Sequence, residues 1–190
     1  MGEIDWNMNC IRKKPILAID LDGVVYIGEK ACEHAVDTMA ILRQKGYNIF
    51  FLTNNSGRTR AEIAGKLKRL SIDAKPEEIL TSAMASALFL KDYLVNHKNN
   101  KVKVIGTIGL KKEIKEFCPS VNFIEDANEC EILVVGFTKD INYAIIKEGM
   151  DAVLDGAFFL ACNEDSHFPA ENGKYLPGCG ALVGAIAGAV

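Results

Sequence analysis

The sequence predicts an α/β protein, a Rossmann-like parallel sheet core with a second α/β unit inserted into it. Three observations predict it. Apolar runs of strand length alternate with amphipathic stretches of helix length over the first 70 residues. The first two runs each end on polar side chains, as strands do where their carboxyl ends open onto a ligand site. A further strand–helix series follows, and none of its strands ends on a pair of acids.

The first run, ILAI at 16–19, is apolar and rich in β-branched residues. It ends on Asp20 and Asp22, with Gly23 next. A strand buried on both faces does not finish in two acids unless that end meets solvent, a metal or a ligand. Gly23 lets the chain bend, so both carboxylates can turn into one crevice. Acids so close repel one another unless a cation lies between them. Oxygen ligands and a phosphate suit Mg²⁺ before Ca²⁺. Most Asp-x-Asp pairs are solvated turns, and it is the position after a buried-type strand that argues for chemistry here. The pair is not an EF-hand, because Gly23 falls too early and no Glu closes the loop.

A helix over 31–45 follows, with Val36, Met39, Ala40 and Leu42 on one face and Gly46 at its end. The second strand, 47–52, stops at TNNSG, residues 53–57. A helix over 59–70 carries Ile63, Ala64, Leu67 and Leu70 on one side. Strand, helix, strand is a βαβ unit, and its parallel strands end on the same edge. Thr53, Asn54 and Asn55 therefore fall beside Asp20 and Asp22. Hydroxyl, amide and backbone N–H donors suit a phosphate, while carboxylates suit the metal next to it. Alone, the segment is a turn rich in turn formers.

From Pro76 the pattern changes. One helix or two span 77–95, followed by a polar linker at 96–100 and a strand at 101–105. A helix over 110–117, a short strand at 121–124, a strand at 131–135 and a helix over 142–154 complete this unit, which reads as a cap over the site. The run FFLA at 158–161 ends on Asn163, Glu164 and Asp165 and is expected to be a third strand of the first sheet. A loop at 173–178 leads to a helix opening near Gly180. The expected division is a core of 1–80 and 155–190 around a cap of 81–154.

Composition narrows the function. A net charge of −3 and scattered basic residues argue against nucleic acid. The short clusters at 12–14 and 66–69 read as solvated faces. The apolar stretch from Gly180 to the last residue is too short to span a membrane. None of the six cysteines is spaced as C-x-x-C, and the first residues are unlike a secretory leader or a myristoylation signal. Reduced thiols in a cytoplasm are expected. His34 and His97 read as structural or solvated, and His167 as the one histidine with a chance of reaching a substrate. Cys162 and Cys179 read as inert thiols. GCGALVG at 178–184 is a false dinucleotide fingerprint, since Pro177 and not a strand precedes it.

These motifs together resemble the haloacid dehalogenase (HAD) superfamily of phosphatases, in its NagD-like and 4-nitrophenylphosphatase-like branch. DLDGVVY at 20–26 resembles that family's first motif and FLTNNS at 51–56 its second. LTSAMAS at 80–86 resembles the start of its α/β cap, and ACNED at 161–165 with LPGCGA at 176–181 the return to the core. The resemblance implies hydrolysis of small phosphomonoesters through an aspartyl-phosphate. Asp20 is then the nucleophile and Asp22 the general acid and base. Mg²⁺ is held by Asp20 and Asp22, the latter through its backbone carbonyl. Thr53 and Asn54, with Asn55 and Gly23, hold the phosphate, and the cap selects a small phosphorylated metabolite and carries dimer contacts.

The family also uses a lysine in a Gly-Lys-Pro segment and further acids in a Gly-Asp segment. Both lie beyond the helix that opens near Gly180, and no Gly-Lys-Pro occurs in this chain. The resemblance therefore implies a chain truncated at its C-terminus, with an incomplete fold and an unpaired apolar edge at 16–19. Without the lysine and acids, a module that binds phosphorylated ligands without turnover fits the same residues. A phosphoacceptor like a response regulator also uses an Asp at a strand end, but lacks so large an insertion.

Overall fold

The chain was described from a computed structural model covering residues 15–97 and 100–190. Cys10 and the basic cluster at 12–14 lie outside the described residues. In chain order the elements are β1 (Ile16–Asp20), the hairpin β2 (Tyr26–Ile27) and β3 (Lys30–Ala31), α1 (Ala35–Gln44), β4 (Asn48–Thr53) and α2 (Arg60–Arg69). Then come β5 (Ile79–Thr81), α3 (Ser82–Asn96), β6 (Lys101–Ile105), α4 (Ile108–Phe117), β7 (Asn122–Phe123), β8 (Ile132–Val135) and α5 (Tyr143–Leu154). β9 (Phe158–Ala161), the hairpin β10 (His167–Pro169) and β11 (Tyr175–Pro177), and α6 (Cys179–Ala187) complete it.

Two parallel sheets form. The first has the order β1-β4-β5, with Asp20 opposite Leu52 and Thr53 opposite Thr81. β4 alternates Ile49 and Phe51 inward with Phe50 and Leu52 outward, and Ile63 and Leu67 of α2 cover the inward face. Each such side chain contributes about 1.5–3 kcal/mol when fully buried. Among the described residues β1 is an edge strand, and Ile16 on it is 66% exposed.

The second sheet has the order β7-β6-β8-β9. Val102 and Val104 of β6 and Ile132 and Val134 of β8 pack on α3 and α4, while Leu133 and Val135 pack on α5 and α6. All of β8 is buried, as a central strand covered on both faces must be.

Three expectations are corrected. Phe158–Ala161 is not a third strand of the first sheet, for it pairs in parallel with β8, Phe158 opposite Ile132 and Ala161 opposite Val135. The partner that decides this is β8, a neighbour across one crossover helix. α6 likewise packs against α5 and β8, with Ile186 so close to Gly149 that an added Cβ there would lie 2.5 Å from it. Within the one or two helices expected over 77–95, Ile79–Thr81 is a strand paired with β4.

Polar residues between strands and helices open the helix that follows. Thr81, Thr107 and Asn142 each accept a backbone N–H of the first turn of α3, α4 and α5. Thr59 and Glu62 form a capping box that fixes where α2 begins.

Candidate active site

Because β1 and β4 pair in parallel, their carboxyl ends meet on one edge. Asp20, Asp22, Thr53, Asn54 and Asn55 line a single cleft there of about 180 Å³. Asp20 is exposed, and its Oδ1 accepts the Leu21 N–H at 2.8 Å. Leu21 is fully buried and its carbonyl accepts the N–H groups of Val25 and Tyr26, so the turn pivots on an anchored residue.

Gly23 makes that turn with φ +86°, a region costly for any side chain. Its N–H donates to Tyr26 O at 2.8 Å, and it does not line the cleft. Gly23 thus shapes the turn, and its N–H is not free for a phosphate.

Asp22 is half-buried. Its Oδ2 accepts the Thr53 hydroxyl at 3.2 Å and the Tyr26 hydroxyl at 3.5 Å. Burial pushes the carboxyl up, with the Asp20 charge adding to it, while Lys66 and the Thr53 hydrogen bond pull it down. Burial and the Asp22 charge also raise the Tyr26 phenol.

The loop after β4 is held from several sides. Thr53 Oγ1 accepts the Asn55 N–H at 3.1 Å, and Asn55 Oδ1 accepts the N–H groups of Gly57 and Arg58, both at 3.0 Å. Ser82 Oγ and Asn163 Nδ2 both donate to Asn54 O at 2.7 Å, and Asn54 Nδ2 donates to Asp165 Oδ2 at 2.9 Å. Further along, the Thr107 hydroxyl donates to Gly57 O at 2.6 Å and the Phe137 N–H to Ser56 Oγ at 2.8 Å. Glycine is required at 109, where a Cβ would lie 2.6 Å from Gly57 O.

Ser82, Asn163, Asp165 and Phe137 had no assigned role in the sequence reading. The polar end of the 158–161 run was a signal for two of them, but it became a site only when β9 brought it beside Asn54. His167 lines the cleft, its ring bonded to Ser166 Oγ at 2.8 Å and set edge-on to Tyr175. His34 and His97 do not line it. Burial pushes the Cys162 thiol up to about 12 and raises Cys179 also, so neither is an activated nucleophile.

Among the described residues no cluster of three or more His, Cys, Asp and Glu gathers as a metal site. Asp20, Asp22 and Asp165 bring three carboxylates of hard oxygen to the cleft. That fits a cation that keeps several waters and takes the rest of its shell from a phosphate.

The profile of the family described as haloacid dehalogenase-like hydrolase matches residues 17–117, the stretch that carries both strand ends of the cleft. The chain belongs to this haloacid dehalogenase-like hydrolase family. Among relatives of the family, the acid sugar phosphatase of Staphylococcus epidermidis is 33% identical over 168 residues, covering 88% of this chain and 62% of the relative. The 5'-nucleotidase YutF of Bacillus subtilis is 34% identical over 169 residues, covering 88% and 62%. The glycerol phosphate phosphatase of Mycobacterium tuberculosis, solved in complex with magnesium, superposes with a TM-score of 0.81 at 30% identity, covering 93% of this chain and 51% of that one. The chain thus spans about three-fifths of the length of these curated haloacid dehalogenase-like relatives.

Proposed function

We propose that this chain carries the nucleophile and the general acid–base of a Mg²⁺-dependent phosphatase of small phosphomonoesters. The observation that carries the reading is the pairing of two unlike carboxylates in one cleft, Asp20 exposed and Asp22 half-buried with its carboxyl pushed up. Environments that separate two acids in this way divide the roles of nucleophile and proton carrier.

Leu21 N–H holds Oδ1 of Asp20 and leaves Oδ2 for the phosphorus. As the Asp20–phosphorus bond forms, the bond to the leaving oxygen breaks, and that oxygen takes the Asp22 proton. Asp22, now ionised, takes a proton from the water that attacks the aspartyl-phosphate, and inorganic phosphate leaves with Asp20 restored. Thr53 and Tyr26 keep Asp22 oriented through both steps. Asn54 and Asn55 hold the phosphate oxygens, since the single Thr53 hydroxyl proton is engaged by Asp22. Asp20 through its carboxylate and Asp22 through its backbone carbonyl would hold Mg²⁺, which supplies charge to offset that on the phosphate. The magnesium complex of the structural neighbour and the phosphatase relatives support this reading.

The test is phosphate release from a panel of phosphomonoesters with Mg²⁺, for the chain beside its Asp20→Asn variant. Turnover lost in the variant and absent under chelation is expected. Turnover that survives Asp20→Asn refutes the nucleophile. Ligand binding with no turnover in either protein favours the binding-module reading.

A further inference from the structure

A larger cleft of about 810 Å³ adjoins the first and shares Asp22, Asn55, Phe137, Phe168 and Pro169 with it. It contains a charged side chain that the reaction above leaves unused. Lys66 lies on the face of α2 that also carries Ile63 and Leu67 into the core, and its side chain is only 7% exposed. Its Nζ stands 3.4 Å from the centroid of the Tyr26 ring, a cation–π contact. Among the described residues its nearest carboxylate is Glu29, at 3.9 Å, beyond hydrogen-bond length.

That carboxylate is shared. Glu29, 60% exposed at its side chain, also faces Arg58 at 3.7 Å and Arg69 at 3.9 Å. One solvated acid thus stands before three cations, none of them hydrogen-bonded to it. The Lys66 ammonium has no hydrogen-bonded acceptor among the described residues, and its tip opens from a largely buried side chain into the cleft beside Arg58 and Asp22. Lys139, Asp140 and Glu171 line other parts of the cleft, and Glu171 is engaged by the Glu29 N–H at 3.3 Å. At the α2 end Lys66 and Arg58 stand beside Asp22 and the shared Glu29.

Asp22 borders both clefts. If it protonates the leaving oxygen, the phosphoryl group occupies the smaller cleft and the leaving group extends into the larger one. We propose that Lys66 and Arg58 form a subsite for a second anionic group, carboxylate or phosphate, on the leaving group. The assignment rests on the phosphatase reading above, and it narrows the substrate class to phosphomonoesters that carry another anion.

The test compares compounds matched except for that anion: 3-phosphoglycerate against glycerol 3-phosphate, and glucose 1,6-bisphosphate against glucose 6-phosphate. The preference in kcat/KM within the favoured pair is expected to fall about tenfold in Lys66→Met, through KM rather than kcat, and to return in Lys66→Arg. Which pair responds distinguishes a carboxylate from a phosphate. Calorimetric binding of the same compounds to Asp20→Asn and to Asp20→Asn/Lys66→Met, with Mg²⁺, needs no turnover and separates the two readings. A tenfold pairwise loss in binding with no turnover in the wild type overturns the phosphatase and supports the subsite. Equal preferences with and without Lys66, in either assay, overturn the subsite. Arg58→Gln, at a side chain 45% exposed, carries the same comparison if Lys66→Met does not fold.

Discussion

Removing one buried carboxylate is expected to detach the phosphate loop from the second unit. Glu113 of α4 is 2% exposed, and its two oxygens accept the Arg60 N–H at 2.9 Å and the Arg60 Nε at 3.1 Å. Arg60 opens α2, directly after the loop that begins at Thr53. Its side chain is 11% exposed, lies 4.5 Å from the Phe117 ring centroid, and reaches Glu116 at 2.5 Å. Glu113→Ala would leave a buried guanidinium and an orphaned N–H at the start of a helix. Breaking a buried pair on one side costs about 3–5 kcal/mol. Glu116, 58% exposed, recovers part of this, so the lower end, about 3 kcal/mol, is expected. For a chain of this size that lowers the melting temperature by roughly 6–12 °C. Urea unfolding of the wild type, Glu113→Ala, Arg60→Met and the double variant measures it. The double variant should be closer to wild type than Glu113→Ala is, since no uncompensated charge remains. A loss below about 1 kcal/mol in Glu113→Ala, or strict additivity in the cycle, would refute the reasoning.

Asn163→Ala removes one of two donors to Asn54 O and leaves Ser82 alone. Phosphate release should then show a KM raised several-fold, about 1 kcal/mol of lost positioning, with folding retained by circular dichroism. The Asp22 carboxyl is raised in the folded state, so the folded chain binds more protons than the unfolded chain between the unfolded and folded pKa values. Stability from this group is therefore present below the unfolded pKa and is lost as pH rises through the folded pKa. Melting temperatures across that window should show a falling contribution in the wild type that is absent in Asp22→Asn, and the variant should be the more stable at neutral pH.

The core of the site was legible in the primary structure because it depends on local signals. An apolar run that ends in Asp20 and Asp22, and a second that ends in Thr53 and Asn54, suffice to set four side chains on one edge, since parallel pairing leaves no other arrangement. Helix starts at Thr59 and Asn142 were readable for the same reason, because a cap acts within one turn. The hairpins at Tyr26–Ala31 and at His167–Pro177 escaped notice, their strands of two or three residues being too short for any periodicity to register.

Which sheet a strand joins is a different matter. Phe158–Ala161 has the composition of a buried strand, and either sheet could have accepted it. Only packing decided for β8, and with it Asn163 and Asp165 came to hold Asn54. Lys66 is the sharper case. By sequence it belongs to a basic, solvated helix face, but the turn of α2 against β1 and β4 buries it beneath Tyr26 and at the margin of Asp22. Local chemistry selects residues and turns, whereas the burial that shifts a carboxyl or strands an ammonium is a property of neighbours distant in the chain. The sequence by itself determined the fold class and the carboxylate pair. The tertiary structure alone decided which groups orient that pair, and which cation faces the cleft beyond it.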